Sequence, residues 1–119
     1  FKENIELNCD PILLEKVFTA IIKNAIVYNK NEGSLIIETK KFSNKLEISF
    51  QDSGIGIADE FFEKIFERFF RIDSSLTYEV SGVGLGLFIA KKLIFMHSGS
   101  INIKSEIKNG SEFLISIPL

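Results

Sequence analysis

Three short stretches of this chain combine residue types that could do chemistry. Gly82-Val83-Gly84-Leu85-Gly86-Leu87 alternates glycine with apolar residues and runs directly into the helical pattern Phe88 to Met96. Glycine lets a backbone approach a ligand closely. The first N–H groups of the following helix have no internal partner, and the helix dipole adds about half a positive charge there. Loop and helix together make a candidate anion site, with a tight turn as the alternative. Asp52-Ser53-Gly54-Ile55-Gly56-Ile57 sets a carboxylate at a strand end just before two glycines. A carboxylate only accepts hydrogen bonds, so Asp52 suits an exocyclic amine such as that of adenine. The glycine backbone beside it is free to approach a flat ligand; ordinary Asp-Ser-Gly turn chemistry is the other reading. The third residue is Asn24. It lies roughly a quarter-turn from the centre of an apolar helical stripe, on an edge shared with Ala20, Val27, Tyr28 and Asn31. It is either a solvated or capping asparagine or one that faces a ligand. Val27, apolar and almost opposite the core stripe, points to a covered or ligand-facing surface there, although single exposed apolar residues are common.

The elements that must carry these residues follow from pattern and punctuation. Asn4 to Asn8 alternates polar and apolar residues and predicts a short strand. Asp10 suits a helix N-cap and Pro11 the first helical position. The pairs Leu13/Leu14, Val17/Phe18, Ile21/Ile22 and Ala25/Ile26 then predict an amphipathic helix to about Tyr28, ended by Asn29 to Gly33. Ser34–Lys40 and Lys45–Gln51 predict a hairpin whose second strand leads into Asp52. Asp59 to Phe70 is dense in phenylalanine at near-helical spacing and predicts a short helix plugging the core. The polar connection from Arg71 to Ser81 is a candidate mobile lid. The helix after the glycine loop is expected to reach His97, and Ile101–Ser105 and Glu112–Ile117 predict a second hairpin about Asn109-Gly110. His97, the single histidine, reads as a helix C-terminal cap, not as a nucleophile or ligand.

Composition narrows the class. The 119 residues fit one domain, and 45% hydrophobic residues, with 12 Phe, supply a core. The single Cys9 excludes an internal disulfide framework, fits a reducing compartment and is expected to pack at a strand end. A net charge of −2 with interspersed signs argues against a nucleic-acid partner. No apolar run approaches the roughly 20 residues of a membrane span. The chain opens at Phe1-Lys2-Glu3 without Met and is expected to be a piece of something longer.

The order is now specific: Asn24-Ala25 on a helix, Asp52 to Gly56, Ile65-Phe66-Glu67-Arg68-Phe69-Phe70-Arg71, then Gly82 to Leu87. It resembles the asparagine, first glycine, phenylalanine and second glycine boxes of the catalytic ATP-binding domain of bacterial sensor histidine kinases. That domain belongs to the superfamily shared by gyrase, HSP90, histidine kinases and MutL. His97-Ser98-Gly99 stands where the family usually has His-Gly-Gly, and Gly110-Ser111-Glu112-Phe113 to Leu119 resembles the usual last strand. The resemblance covers essentially the whole chain, and four boxes in order are a strong signal where each alone is weak.

What the resemblance implies is an α+β fold, a two-layer α/β sandwich. Its mixed, mostly antiparallel sheet would have about five strands, with three helices on one face and an ATP lid. Residues 1–119 would form a single domain excised from a longer kinase. Asn24 is similar to the family's Mg²⁺ ligand, Asp52 to its acceptor for the adenine amine, and Gly54, Gly56 and Ile57 to residues lining the base. Tyr28 borders the nucleotide, and Arg71 resembles the arginine that reaches the phosphates. Gly82, Gly84, Leu85, Gly86 and Leu87 resemble the loop that meets the phosphate chain. The implied cofactors are ATP or ADP with Mg²⁺. The implied partners are a histidine-bearing dimerisation domain of the same kinase and a response-regulator receiver domain, with no direct membrane contact. The implied location is the cytoplasm, with a parent protein open to membrane anchoring.

Three departures qualify this. Val27 stands where the family commonly has Lys, and Lys30 or Lys23 could compensate. Ala20 stands where superfamily ATPases carry a catalytic Glu, which disfavours a stand-alone ATPase. Val83 replaces a frequent Thr or Ser. The implied activity is therefore protein histidine kinase chemistry, with no catalytic residue in this fragment beyond those that position ATP. The alternative is a degenerate nucleotide-binding regulatory module.

Overall fold

The computed structural model describes residues 4–68, 70 and 86–119. The first helix, α1, spans Pro11–Val27. It starts where expected: the Asp10 carboxylate accepts from the backbone N–H groups of Ile12 and Leu13 at 3.0 and 3.2 Å, and Pro11 follows in the first turn. Its buried stripe is Leu14, Val17, Ile21 and Ala25, spaced at helical intervals, and Tyr28 is its C-cap.

Four strands follow the two predicted hairpins: β1 (Leu35–Lys41), β2 (Lys45–Asp52), β3 (Ser100–Glu106) and β4 (Gly110–Pro118). They form one sheet in the order β1-β2-β4-β3, with every pairing antiparallel. The two hairpins thus meet through β2 and β4, in a register that sets Gln51 opposite Glu112. One sheet face carries Leu46, Ile48 and Phe50 of β2 with Phe113, Ile115 and Ile117 of β4, all buried. Alternation puts Lys45, Glu47, Ser49 and Gln51 of β2 and Glu112 and Ser116 of β4 on the other face, while Asp52 and Ser111 continue the covered rows at their ends.

The second long helix, α2 (Gly86–Met96), buries Ala90, Leu93 and Ile94. These join the α1 stripe over the sheet in one core. The helix ends in a tight reversal: Gly99 N–H bonds the Ile94 carbonyl at 2.9 Å, and Ser98 takes φ 60°. His97 caps it, as its position suggested. The Asp10 N–H donates to His97 Nε2 at 3.1 Å, so that nitrogen is an acceptor and the ring proton sits on Nδ1, 2.7 Å from the Leu93 carbonyl. One imidazole therefore ties the end of α2 to the start of α1.

Two expectations are corrected. Asn4 to Asn8 makes no strand, so the sheet has four strands among the described residues and is wholly antiparallel, not mixed and five-stranded. Ile5 and Leu7 still pack against the core, which is what their alternation records; alternation reports a buried side, not a ladder partner. The expected helix over Asp59–Phe70 is instead two single 3₁₀ turns, Asp59–Phe61 and Lys64–Phe66, with Phe70 beyond them. Neither turn has a side-chain cap, and each closes on an i→i+3 bond, Phe62 N–H to the Asp59 carbonyl and Glu67 N–H to the Lys64 carbonyl. Phe66 meets Phe113 edge-on at 6.2 Å, while Lys91 of α2 lies 5.1 Å over its ring and Arg68 lies 5.0 Å over Phe88. The phenylalanine segment is thus the third helical piece on the covered face. The candidate lid from Arg71 to Ser81 lies outside the described residues.

Replacing His97 by Ala removes both of its hydrogen bonds. We expect a loss of about 1–2 kcal/mol of stability, read as a lower thermal midpoint by circular dichroism. An unchanged midpoint would refute the tie between α1 and α2.

Candidate functional site

Asp52 closes β2, and its side chain is half-buried. Among the described residues both hydrogen bonds to its carboxylate fall on one oxygen: Oδ1 accepts from Gly54 N–H at 2.9 Å and from Ser111 N–H at 3.1 Å. Burial raises the carboxyl pKa above its ordinary value, and the two backbone donors only partly offset this. A charge taken halfway out of water is thus held by donors on one side, with Oδ2 left to accept from elsewhere.

The loop after Asp52 is fastened on two sides. Toward α1, Ile55 N–H bonds the Tyr28 carbonyl at 3.1 Å, and Gly54 is buried against the Tyr28 and Asn29 backbone. Asn29 completes that joint. Its Nδ2 donates to the Ser34 carbonyl at 3.0 Å, and its Oδ1 accepts from Lys30 N–H and the Ser53 hydroxyl at 2.9 and 3.1 Å. Toward the β3–β4 hairpin, Lys108 N–H bonds the Ile55 carbonyl at 2.7 Å and Ile57 N–H bonds Ser105 Oγ at 2.7 Å. Gly56 sits at φ 75°, where a Cβ would collide with the Glu106 carbonyl, so its place in the motif is a steric requirement.

Asn24 is half-buried in the last turn of α1, where its backbone carbonyl accepts the Tyr28 N–H at 3.2 Å. The first residue of α2 also rests on α1: a Cβ at Gly86 would lie 3.6 Å from the Ala20 Cβ, one helical turn before Asn24. The Asp52 loop at Tyr28 and the start of α2 at Ala20 are therefore about 12 Å apart along one helix, with Asn24 between them. A cleft of about 460 Å³ opens between α1 and Gly86, lined by Lys16, Thr19 and Lys23 among others. Of the two lysines that could compensate for Val27, Lys23 lines this cleft, whereas Lys30 lies beyond the helix end. Val27 itself is half-buried, in keeping with a covered surface. Ile57 and Leu87 both pack against the core. Arg71, Gly82, Gly84 and Leu85 lie outside the described residues, as does Val83.

Four participants carry no signature of this role in the sequence: Ser111, Ser105, Gly110 and Asn29. The serines occupy ordinary positions in alternating strands, and their partners are far away in sequence, 59 residues for Ser111 and Asp52. Asn29 looked like simple helix punctuation. Gly110 was visible as a turn residue, but not as the point where β4 backs onto Asp52.

Residues 9–119 match the family described as histidine kinase-, DNA gyrase B-, and HSP90-like ATPase, and the chain belongs to that family. Within it, the chain is similar to sensor kinases. It is 40% identical over 113 residues to the signal transduction histidine-protein kinase ArlS of Staphylococcus aureus, covering 95% of this chain and 25% of that protein. It is 38% identical over 112 residues to the sensor protein RprX of Bacteroides fragilis, covering 92% and 22%. The chain thus spans about a quarter of the length of these curated relatives. Among solved structures, the nucleotide-free catalytic domain of the histidine kinase ThkA superposes with a TM-score of 0.78 at 32% identity, covering 92% of this chain and 68% of that one. Full-length ShkA in complex with AMPPNP gives a TM-score of 0.77 at 25% identity, covering 89% and 21%.

Gly110 tests the joint. It takes φ 88°, and a Cβ there would collide with the Asp52 carbonyl. Gly110→Ala should cost at least about 2 kcal/mol in urea unfolding, while Gly86→Ala, where a Cβ makes ordinary contact, should cost under about 1. Equal effects would show that the Asp52 loop does not require this close approach.

Proposed function

We propose that this chain is the ATP-binding catalytic domain of a two-component sensor histidine kinase. In this reading it presents the γ-phosphoryl of ATP to a histidine on a separate helical dimerisation domain of the same protein. The observation that carries the proposal is the Asp52 carboxylate, half-buried and held at Oδ1 by Gly54 and Ser111. A fixed acceptor of this kind suits the exocyclic amine of adenine, received at Oδ2. Gly54, Gly56 and Ile57 would line the base, with Tyr28 at its border. Asn24, Lys23, Gly86 and Leu87 would meet the phosphates one to two turns back along α1 from Tyr28, and on the family pattern Arg71, Gly82, Gly84 and Leu85 would join them there. The binding of AMPPNP by ShkA supports the nucleotide class.

The amide oxygen of Asn24 is a hard, neutral ligand. The described residues include no cluster of three or more His, Cys, Asp or Glu that could hold a metal. One protein oxygen fits Mg²⁺, an ion that keeps its waters and binds mainly through phosphates. When bound, Mg²⁺ neutralises phosphate charge; the chain's own share is positioning. Ala20 offers no carboxylate to activate water, which favours transfer to a protein acceptor over hydrolysis. The longer kinase would supply that acceptor, and a receiver domain would take the phosphoryl onward. No described helix is long and apolar enough to cross a membrane. Val27 and Ala20 favour a second reading, a weak nucleotide-binding regulatory module.

Calorimetry with ATP and Mg²⁺ separates the two readings. The kinase domain should bind measurably, and Asp52→Asn should weaken binding about 10- to 100-fold because an amide N–H₂ then faces the adenine amine. Absence of heat from the unsubstituted chain would leave only the regulatory module. The pH dependence has opposite signs for folding and binding. The Asp52 pKa is raised by folding, so its contribution to stability is fullest at low pH and is lost as pH rises through the folded pKa. Binding needs the ionised acceptor, so affinity should fall as pH drops through that same raised pKa, earlier than for an ordinary carboxylate.

Radiolabelled ATP tests the transfer itself. Label should stay off the isolated chain and appear on an added histidine-bearing helical domain. Label on the isolated chain, or free phosphate released by it alone, would overturn the assignment.

A further inference from the structure

The hydroxyl of Ser105 is saturated. A serine hydroxyl has one hydrogen and two lone pairs. Its hydrogen goes to the Gly110 carbonyl at 2.8 Å. One lone pair takes the Ile57 N–H at 2.7 Å, and the other faces Ser111 Oγ at 2.8 Å, so Ser111 is the donor of that pair. Ser111 is buried, and its own backbone N–H goes to Asp52 Oδ1 at 3.1 Å. Ser105 and Ser111 face each other across the β3–β4 pairing, so a hairpin contact alone would explain their hydroxyl pair. It does not explain Ile57, which lies 48 residues from Ser105 in sequence and belongs to the glycine loop. One oxygen thus joins the strand that holds the Asp52 carboxylate to the loop that follows Asp52.

We infer that Ser105 is a positioning residue for nucleobase selectivity: its hydroxyl keeps the Asp52 carboxylate and the Gly56–Ile57 backbone in the one register that accepts an exocyclic amine. The inference rests on the proposed nucleotide reading and extends it to the choice of purine. Adenine presents an amine donor where guanine presents a carbonyl acceptor. A carboxylate that cannot withdraw accepts from the first and repels the second, and such a site rejects the wrong partner strongly because a buried polar group is left unpaired. Without the Ser105 hydroxyl, Ile57 N–H loses its acceptor and Ser111 its anchor, so the loop and the carboxylate can shift apart and the discrimination relaxes.

Titration of the unsubstituted chain, Ser105→Ala, Ser105→Cys and Ser105→Thr with Mg-ATP and with Mg-GTP tests this. ATP affinity should fall about fivefold to tenfold in the Ala and Cys variants while GTP affinity holds, so the ATP-to-GTP preference falls by the same factor. Ser105→Thr keeps the hydroxyl and should keep the preference. Ser105→Cys fills the same space with a poor hydrogen-bonding group, so the ratio can be read even if Ser105→Ala loses its fold. An unchanged preference in the folded variants would overturn the inference and leave the nucleotide reading standing. No ATP binding by the unsubstituted chain would overturn both.

Discussion

The carboxylate of Asp52 sets the terms for much of this domain. A charge brought half out of water must find hydrogen-bond donors, and here backbone amides supply them at Oδ1. One amide belongs to Asp52's own loop. The other belongs to β4 and is available only because β4 starts beside the end of β2. That neighbourhood is a property of the sheet order, in which the two hairpins meet through β2 and β4. It also requires Gly110, since any side chain there would strike the Asp52 carbonyl. Sheet topology, hairpin turn and carboxylate thus depend on one another, and none can be altered singly without exposing or stranding a polar group.

The helix α1 plays a different part. Its stripe of Leu14, Val17, Ile21 and Ala25 is committed to the core. That leaves an adjoining edge on which Ala20, Asn24 and Tyr28 follow one another turn by turn. The start of α2 rests on the first of these, and the Asp52 loop on the last. One rigid element therefore sets the spacing between the two ends of the proposed ligand. The His97 tie at the N-terminus of α1 belongs to the same design, because it fixes the direction of α2 relative to the helix that its own N-terminus must meet.

What could be read from the chain in order was local. Asp10-Pro11 announced a helix start, and paired apolar residues announced its buried face. The hairpins showed in their alternation, and Asp52 showed by standing between a strand and two glycines. Each of these signals spans a few residues and rests on one chemical preference. What escaped was of two kinds. At Ile5 and Leu7 the alternation marks burial without pairing, since it says which side is covered and not whether a neighbouring strand exists. The helix expected over Asp59–Phe70 is two short 3₁₀ turns instead, since near-helical spacing of apolar residues marks a covered side and not the i→i+4 ladder, and no side chain caps either turn. The second kind was long-range: Ser111 and Ser105 look like any polar residues of a strand until the fold brings them to Asp52 and Ile57.

The same distinction separates the two ends of the proposed site. At the base end, the described contacts are made largely by backbone groups, from Gly54, Ile55, Ile57, Lys108, Gly110 and Ser111. Substitution cannot easily remove a main-chain amide, so this end is determined by the fold and tolerates little movement. In the proposed reading of the phosphate side, the departures from the family pattern are all side chains: Val27, Ala20 and Val83. A cation can be lost at Val27 and a neighbouring one offered at Lys23 without disturbing the sheet, because both positions lie outside the buried stripe of α1. In the proposed reading, recognition of the base is built into the sheet and its hairpin. The grip on the phosphates is left to residues that can be exchanged one at a time, so exchanges there can tune affinity for the nucleotide without touching the groups that select its base.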